Sequence, residues 1–259
     1  MPSRPGNKRR RKPKKKVLSP WWAVGAFFLV LAAVLLPHLL TPAKPESGAA
    51  VPKGYRHFMV DLSHNNPREI RWDSLKVVLD KNGRTVRSLS SAQAVLPLSH
   101  VVMKATEGVN HRDRHFALWW EEAGKAGFSR GAYHFFRSSK DPGQQAQHYI
   151  GRVTLTHNDL PPILDIETVH SGCTKALLNE RALIWLQTVE KHYGRKPIVY
   201  TGDSFARDWL SEEITENYPL WIARYHEDPP RTSSWQYWQF TDEAVLYGVP
   251  GTVDLSVLR

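Results

Sequence analysis

The stretch Pro161-Pro162-Ile163-Leu164-Asp165-Ile166-Glu167 decides how the rest of the chain is read. An apolar run enters Asp-Ile-Glu, the pattern of a short buried strand whose last residues carry charge. Side chains alternate faces along a strand, so Asp165 and Glu167 point one way and Ile166 points back into packing. Two carboxylates about 6–7 Å apart on one face raise one another's pKa. General acid chemistry beside a second carboxylate is one use for such a pair. On this stretch alone, a strand end whose acids meet solvent or Arg/Lys partners accounts for the residues equally well.

Outward from it, strand-like and helix-like runs alternate. On the amino-terminal side, 57–61 and 101–104 are apolar runs ending in Asp61 and Lys104, and 131–135 is a third strand. Helical spacing covers 116–127, closing on Gly127, and 142–150. On the carboxyl-terminal side Asn179 is expected to cap a helix reaching about His192, with Gly194 behind it. Residues 196–200, 220–223, 235–240 and 252–255 read as further strands. Alternation over about 200 residues predicts an α/β fold with a largely parallel sheet. About eight strands predict closure into an irregular TIM-like barrel, with fewer helices in the carboxyl-terminal third. One segment breaks the rhythm. Lys76 to Arg87 carries Asn82-Gly83, the two-residue turn of a hairpin, and is expected to be a surface excursion that folding can spare.

The net charge of +10 belongs to the first 16 residues, which hold nine Lys/Arg and no acid. The remainder is nearly neutral, with 26 basic and 25 acidic residues. A basic tail can be a nucleic-acid arm, but the largely apolar run at 21–40, uncharged through Leu36 and extended to 20 residues by Pro37-His38-Leu39-Leu40, argues otherwise. Twenty helical residues span about 30 Å, the thickness of a bilayer's hydrocarbon core. Trp21 and Trp22 suit the membrane interface, and the basic block before them holds the amino terminus in the cytoplasm. A cleavable signal peptide, cut near Gly48-Ala49-Ala50, is the rival reading. The run is long for one and the small residues lie far beyond it, so an uncleaved anchor is expected. The expected organisation is a cytoplasmic tail at 1–19, a transmembrane helix at 20–40, a linker of little structure at 41–56, and a domain at 57–259. That domain would lie in the periplasm or extracytoplasmic space. Cys173 is the single cysteine, so it is a free thiol and no disulfide or metal–thiolate site forms within the chain.

Functional groups of α/β barrels sit at the carboxyl ends of strands. Asp61, Lys104 with Glu107, Asp165 with Glu167, and Asp254 all fall there. Closure makes the first and last strands neighbours, which puts four carboxylates around one cavity. Tyr133, Tyr200, Trp221, Tyr225 and Trp238 are available to stack on sugar rings, although any one of them is more simply core. His64 and His134, near Asp61 and Asp165, raise a metal site as an alternative, without a His-x-x-x-His pair to support it.

Seven motifs then fall in one order: Val60-Asp61-Leu62-Ser63-His64, Met103-Lys104-Ala105-Thr106-Glu107-Gly108, Gly131-Ala132-Tyr133-His134-Phe135, Leu164-Asp165-Ile166-Glu167, Leu220-Trp221-Ile222-Ala223-Arg224-Tyr225, Trp238-Gln239-Phe240 and Val253-Asp254-Leu255. In these the chain resembles glycoside hydrolase family 25, the Chalaropsis-type lysozymes, over nearly all of 57–259. The resemblance implies an irregular barrel and N-acetylmuramidase activity on peptidoglycan, at the β-1,4 bond from N-acetylmuramic acid to N-acetylglucosamine. It implies Glu167 as general acid and Asp165 as nucleophile or as the carboxylate orienting the substrate's acetamido group. Asp61 and Asp254 match supporting acids. Tyr133, His134, Lys104, Glu107, Tyr200, Trp221, Tyr225 and Trp238 are the expected substrate contacts. No metal or other cofactor is implied; the expected partners are glycan strands and, through the amino-terminal helix, the membrane, with no nucleic acid. A monomer is expected. A tethered peptidoglycan-binding module without catalysis is the remaining alternative.

Overall fold

The computed structural model describes residues 47–259. The tail and the apolar run at 1–40 lie outside them, as does the start of the linker. Among the described residues no helix is long and apolar enough to cross a membrane.

The strands in chain order are β1 (Ser47–Ala50), β2 (Phe58–Leu62), β3 (Val77–Leu79), β4 (Arg84–Val86), β5 (Ala94–Leu96), β6 (Leu98–Glu107), β7 (His111–Arg112), β8 (Ser129–Phe135), β9 (Ile163–Asp165), β10 (Ile198–Gly202), β11 (Leu220–Ala223), β12 (Trp235–Ala244) and β13 (Val253–Leu258). Five α-helices are interleaved among the described residues: α1 (Phe116–Lys125), α2 (Pro142–Ile150), α3 (Lys175–Tyr193), α4 (Asp203–Trp209) and α5 (Glu212–Asn217). Neighbours in the large sheet run β2, β13, β12, β11, β10, β9, β8, β6, and a β2–β6 ladder closes it into an eight-stranded barrel. From β2 through β6 and on to β12 the pairings are parallel; β13 is antiparallel to both neighbours. No described helix follows α5, in keeping with the thinning expected after residue 210.

The two faces of each strand carry different residues because each meets a different neighbour. Met59, Val102, Tyr133, Ile163, Ile198, Tyr200 and Trp221 fill the barrel interior. Phe58, Val60, Val101, Met103, Ala132, Leu164, Val199 and Ile222 alternate with them and pack outward with Trp119, Trp185 and Leu186 of the helices. Charged side chains take over the inner face toward one rim, where Asp61, Lys104 and Asp165 stand. That is where the barrel opens.

The sequence misplaces three local features. Asn179 does not cap α3: Thr174 does, its hydroxyl accepting from Leu177 N at 3.2 Å. Asn179 is instead buried within the helix, where its amide donates to Trp209 O at 2.7 Å and its oxygen accepts from Ser211 N at 2.7 Å, tying α3 to the link between α4 and α5. The linker is not featureless either, since β1 pairs antiparallel with β4. A Cβ at Gly48 would lie 2.5 Å from Glu243 O, so only glycine lets this strand press against the end of β12.

The third correction concerns the hairpin. It exists, but Asp80 to Gly83 form a four-residue loop rather than a two-residue turn. Asp80 Oδ1 accepts from Asn82 N (2.8 Å) and Arg84 N (2.9 Å), and Gly83 takes φ +72°, a conformation costly for residues with a Cβ. Nor is the segment a surface excursion: β3 and β4 are the middle of a sheet ordered β1-β4-β3-β5. Val77, Val78 and Thr85 are fully buried. Thr85 Oγ1 accepts from Val245 N at 3.0 Å, and the Arg87 guanidinium donates to the carbonyls of Val249 and Gly251. Burying each valine stabilises by about 1.5–3 kcal/mol. Replacing 76–87 by a short Gly-Ser link is therefore expected to lower Tm by more than about 10 °C, at roughly 2–4 °C per kcal/mol for a domain this size. Differential scanning calorimetry checks this; an unchanged Tm would restore the surface excursion.

Candidate active site

The site is built from inner-facing residues where the strands reach one rim of the barrel. On β9, Ile163 points inward, Leu164 outward and Asp165 inward, and the alternation continues past the strand through Ile166 to Glu167. This short strand is pinned on both sides: Phe136 N donates to Asp165 O (2.8 Å) and Ile166 N donates to Tyr200 O (3.0 Å). Asp165 is thus held deep, 5 % exposed, while Glu167 stands exposed at the lip. Asp61 on β2 and Asp254 on β13 are partners in the antiparallel ladder. The acid of β13 was expected at a carboxyl end. It lies instead at the start of the strand, which reaches the same rim because β13 runs the other way.

Four carboxylates so placed cannot all be ionised. Burial and then the charges of Asp254, Asp165 and Glu167 push Asp61 well above the ordinary carboxylate range. Asp165 is likewise driven well up, by burial and then by Glu167. Loss of water raises Glu167, and burial with help from Asp242 and Glu167 raises Asp254 to about 6. Asp61 Oδ1 and Asp165 Oδ1 are shut from solvent and have no hydrogen-bond partner among the described residues. Unsatisfied buried oxygens on adjoining acids point to a place where a ligand's polar groups complete the network.

Lys104 and Arg137 oppose this build-up of protons, both lowering Asp165 and Glu167. Lys104 Nζ donates to Glu107 Oε2 at 2.6 Å, and Arg137 donates to Glu107 Oε1. These bonds hold Glu107 below its usual value although burial alone would raise it. Both cations also lie over the Phe135 ring, at 4.7 and 4.5 Å. Arg137 was missed in the sequence; it follows the quoted Tyr-His-Phe motif by two residues and only the fold brings it over Glu107.

The aromatic set divides. Tyr225 is 53 % exposed and its hydroxyl donates to Gln239 Oε1 at 3.1 Å. Tyr133 and Tyr200 face inward at the rim, both 8 % exposed. Three expected substrate contacts are placed elsewhere. His134 alternates with Tyr133 and so points out of the barrel, fully buried between Thr106 Oγ1 (2.8 Å) and Gln145 Oε1 (3.2 Å) and stacked on Trp185 at 5.5 Å. Burial there holds its pKa at about 3, so it is a neutral spacer between barrel and helices. Trp238 is outward for the same reason, its Nε1 donating to Arg224 O at 2.8 Å. Trp221 does face inward, but at 1 % exposure it is floor: its Nε1 donates to Ser256 Oγ and its ring meets Tyr200 edge-on at 4.5 Å.

The metal alternative loses its geometry as well. His64 Nδ1 pairs with Asp113 Oδ2 at 2.8 Å and His134 faces the helices, so neither imidazole joins the four acids. Cys173 is free and buried.

The family model described as Glycosyl hydrolases family 25 matches residues 80–249, about two thirds of the chain. This chain belongs to glycosyl hydrolase family 25. The family 25 chain is 32 % identical over 211 residues to YegX of Escherichia coli K12, covering 81 % of this chain and 72 % of that protein. It is 29 % identical over 174 residues to lysozyme M1 of Streptomyces globisporus, covering 61 % of this chain and 58 % of the lysozyme. Its fold is shared with a family 25 glycosyl hydrolase from Bacillus anthracis, with TM-score 0.67 at 24 % identity over 83 % of this chain and 94 % of the other. The Streptomyces coelicolor lysozyme superimposes with TM-score 0.66 at 24 % identity, covering 80 % and 94 %. As a family 25 member the chain is a glycoside hydrolase of the lysozyme type.

Proposed function

We propose that this family 25 chain is an N-acetylmuramidase that cleaves the β-1,4 bond between N-acetylmuramic acid and N-acetylglucosamine in peptidoglycan, with Glu167 as the proton donor. The observation that carries this reading is the asymmetry of the acid cluster: three carboxylates sit within the barrel mouth and one stands at its exposed lip. A polymer lying across the rim reaches Glu167 first, at a carboxyl that its surroundings keep protonated above the usual range. Departure of the glycosidic oxygen needs that proton, because an alkoxide is a poor leaving group.

Asp165, behind Glu167 on the same face, then serves the developing positive charge at the anomeric carbon. It does so as nucleophile or by holding the substrate's acetamido group for attack. Either route retains configuration. Asp165 has to be ionised at that moment, and Lys104 and Arg137 are the groups that favour its charge. Asp61 and Asp254 store protons and negative potential beside it. Tyr225 offers the exposed ring on which a sugar face can stack. The relatives add support, since one of them is a Streptomyces lysozyme.

The setting of the substrate follows from the amino-terminal sequence. In this reading, 20–40 anchors the chain in the cytoplasmic membrane and the domain works outside the cytoplasm, as a monomer. The test is digestion of purified sacculi followed by mass spectrometry of the released muropeptides, with NMR of the fresh product to read anomeric configuration. Products with a reducing N-acetylmuramic acid and retained configuration are expected. Binding of sacculi without release of reducing ends would leave a carbohydrate-binding module instead.

A further inference from the structure

Gln239 lies on the inner face of β12, fully buried, in a motif otherwise made of aromatic residues. Its Oε1 accepts two phenolic hydroxyls, from Tyr200 at 2.6 Å and from Tyr225 at 3.1 Å. Its Nε2 donates to Asp254 Oδ2 at 3.3 Å. Turning the amide over would set its oxygen against the lone pairs of Asp254 Oδ2, so the three contacts select one orientation. The donor at Oδ2 leaves Oδ1 as the oxygen of Asp254 that can hold a proton. Across the β2–β13 ladder its register partner is Asp61, whose Oδ1 is buried without a partner.

We propose that Gln239 is a positioning residue that makes the exposed Tyr225 ring and the Asp254–Asp61 pair one unit. It fixes the ring on which a sugar stacks and fixes which carboxyl oxygen carries the proton. This rests on the hydrolase reading above. The Tyr225 loop is braced independently, by Arg224 on Asp203 (3.1 Å) and by Thr232 on the other Asp203 oxygen (2.8 Å). Gln239 therefore sets the tip of the ring and not the course of the chain. The groups facing Asp254 are Asp61 from β2, Asp242 from β12, Tyr225 from the β11–β12 connection, Tyr133 from β8 and Glu167 from beyond β9. None of them replaces the amide's donation to Oδ2.

The test uses the full chain with ¹³C-labelled aspartate. Gln239→Met keeps volume and removes all three bonds. Without the donor that favours its charged form, Asp254 is expected to titrate about half a pH unit or more higher. In the same variant kcat/KM on peptidoglycan should fall about tenfold or more. Gln239→Glu retains the acceptor for both tyrosines and, when neutral, an O–H in place of the N–H; it should recover activity toward acid pH while Gln239→Met does not. An Asp254 titration unmoved in Gln239→Met, or identical pH profiles for the two variants, overturns the proposal. If Asp254 moves but wild type releases no reducing ends, the hydrolase reading fails and the positioning role stands. Should Gln239→Met not fold, Tyr225→Phe removes one donor at an exposed site. A several-fold rise in KM with kcat retained is then expected, and an unchanged KM overturns the proposal.

Discussion

Glu167→Gln is expected to cut kcat on peptidoglycan by about 10²–10⁴ with the fold intact, the usual span for loss of a general acid. The amide keeps the shape of the side chain and lacks a transferable proton. Folding should not suffer, because Glu167 is exposed and lies beyond the last residue of β9. If anything the variant gains stability above the ordinary carboxylate pKa, since it removes a group whose charged form is disfavoured by loss of water.

The effect should depend on the leaving group. A glycoside whose leaving phenol is acidic departs without protonation, so Glu167→Gln should lose far less on it than on the natural polymer. The pH profile gives a second readout. Glu167 is raised, so its protonated form persists above the usual carboxylate range, and the alkaline fall of kcat/KM should come correspondingly late in wild type. More than a tenth of wild-type activity remaining in Glu167→Gln on peptidoglycan would move the role of acid to another carboxylate.

The barrel was legible because each of its strands is a local pattern: an apolar run with a charged or polar end, followed by a turn or cap. The inward face of Asp165 and Glu167 follows from period two alone, and the structure keeps that period even after the strand stops. The meeting of Asp61 with Asp254 needed one more step, closure, and the count of strands supplied it. The direction of β13 was not legible, because an isolated strand reads the same in either sense. Period two also explains the errors at His134 and Trp238. Each sits beside a residue that faces the site, Tyr133 and Gln239, so each necessarily faces away. The motif pointed to the right place on the strand and the larger ring distracted from the neighbour. The hairpin misled for another reason: its turn chemistry is local, but the burial of Val77 and Thr85 depends on a partner more than 100 residues away. Arg137 belongs with these, because it follows β8 while its partner Glu107 ends β6.

Asp254→Asn is expected to stabilise the domain at neutral pH while impairing hydrolysis. Asp254 titrates at about 6 in the folded chain, against 3.8 for the free group. A carboxyl raised in this way binds more protons folded than unfolded between those two values. Stability due to it is therefore fully present below about pH 4 and is lost as pH rises toward 6. At pH 7 the accumulated loss is about 2–3 kcal/mol, from roughly 1.4 kcal/mol per unit. Asparagine is neutral at every pH and still offers an oxygen to Gln239 Nε2, so it should escape that loss. It also removes the charge that, after burial, does most to raise Asp61. Thermal unfolding followed by circular dichroism should show wild type and variant melting together near pH 4. By pH 7 the variant should lead by about 5–10 °C, at roughly 2–4 °C per kcal/mol. A constant gap across pH would mean that packing and not charge separates the two proteins. A less stable variant at pH 7 would mean that the acid cluster is held together by bonds to its ionised form, and the cost assigned to burying its charge would be absent.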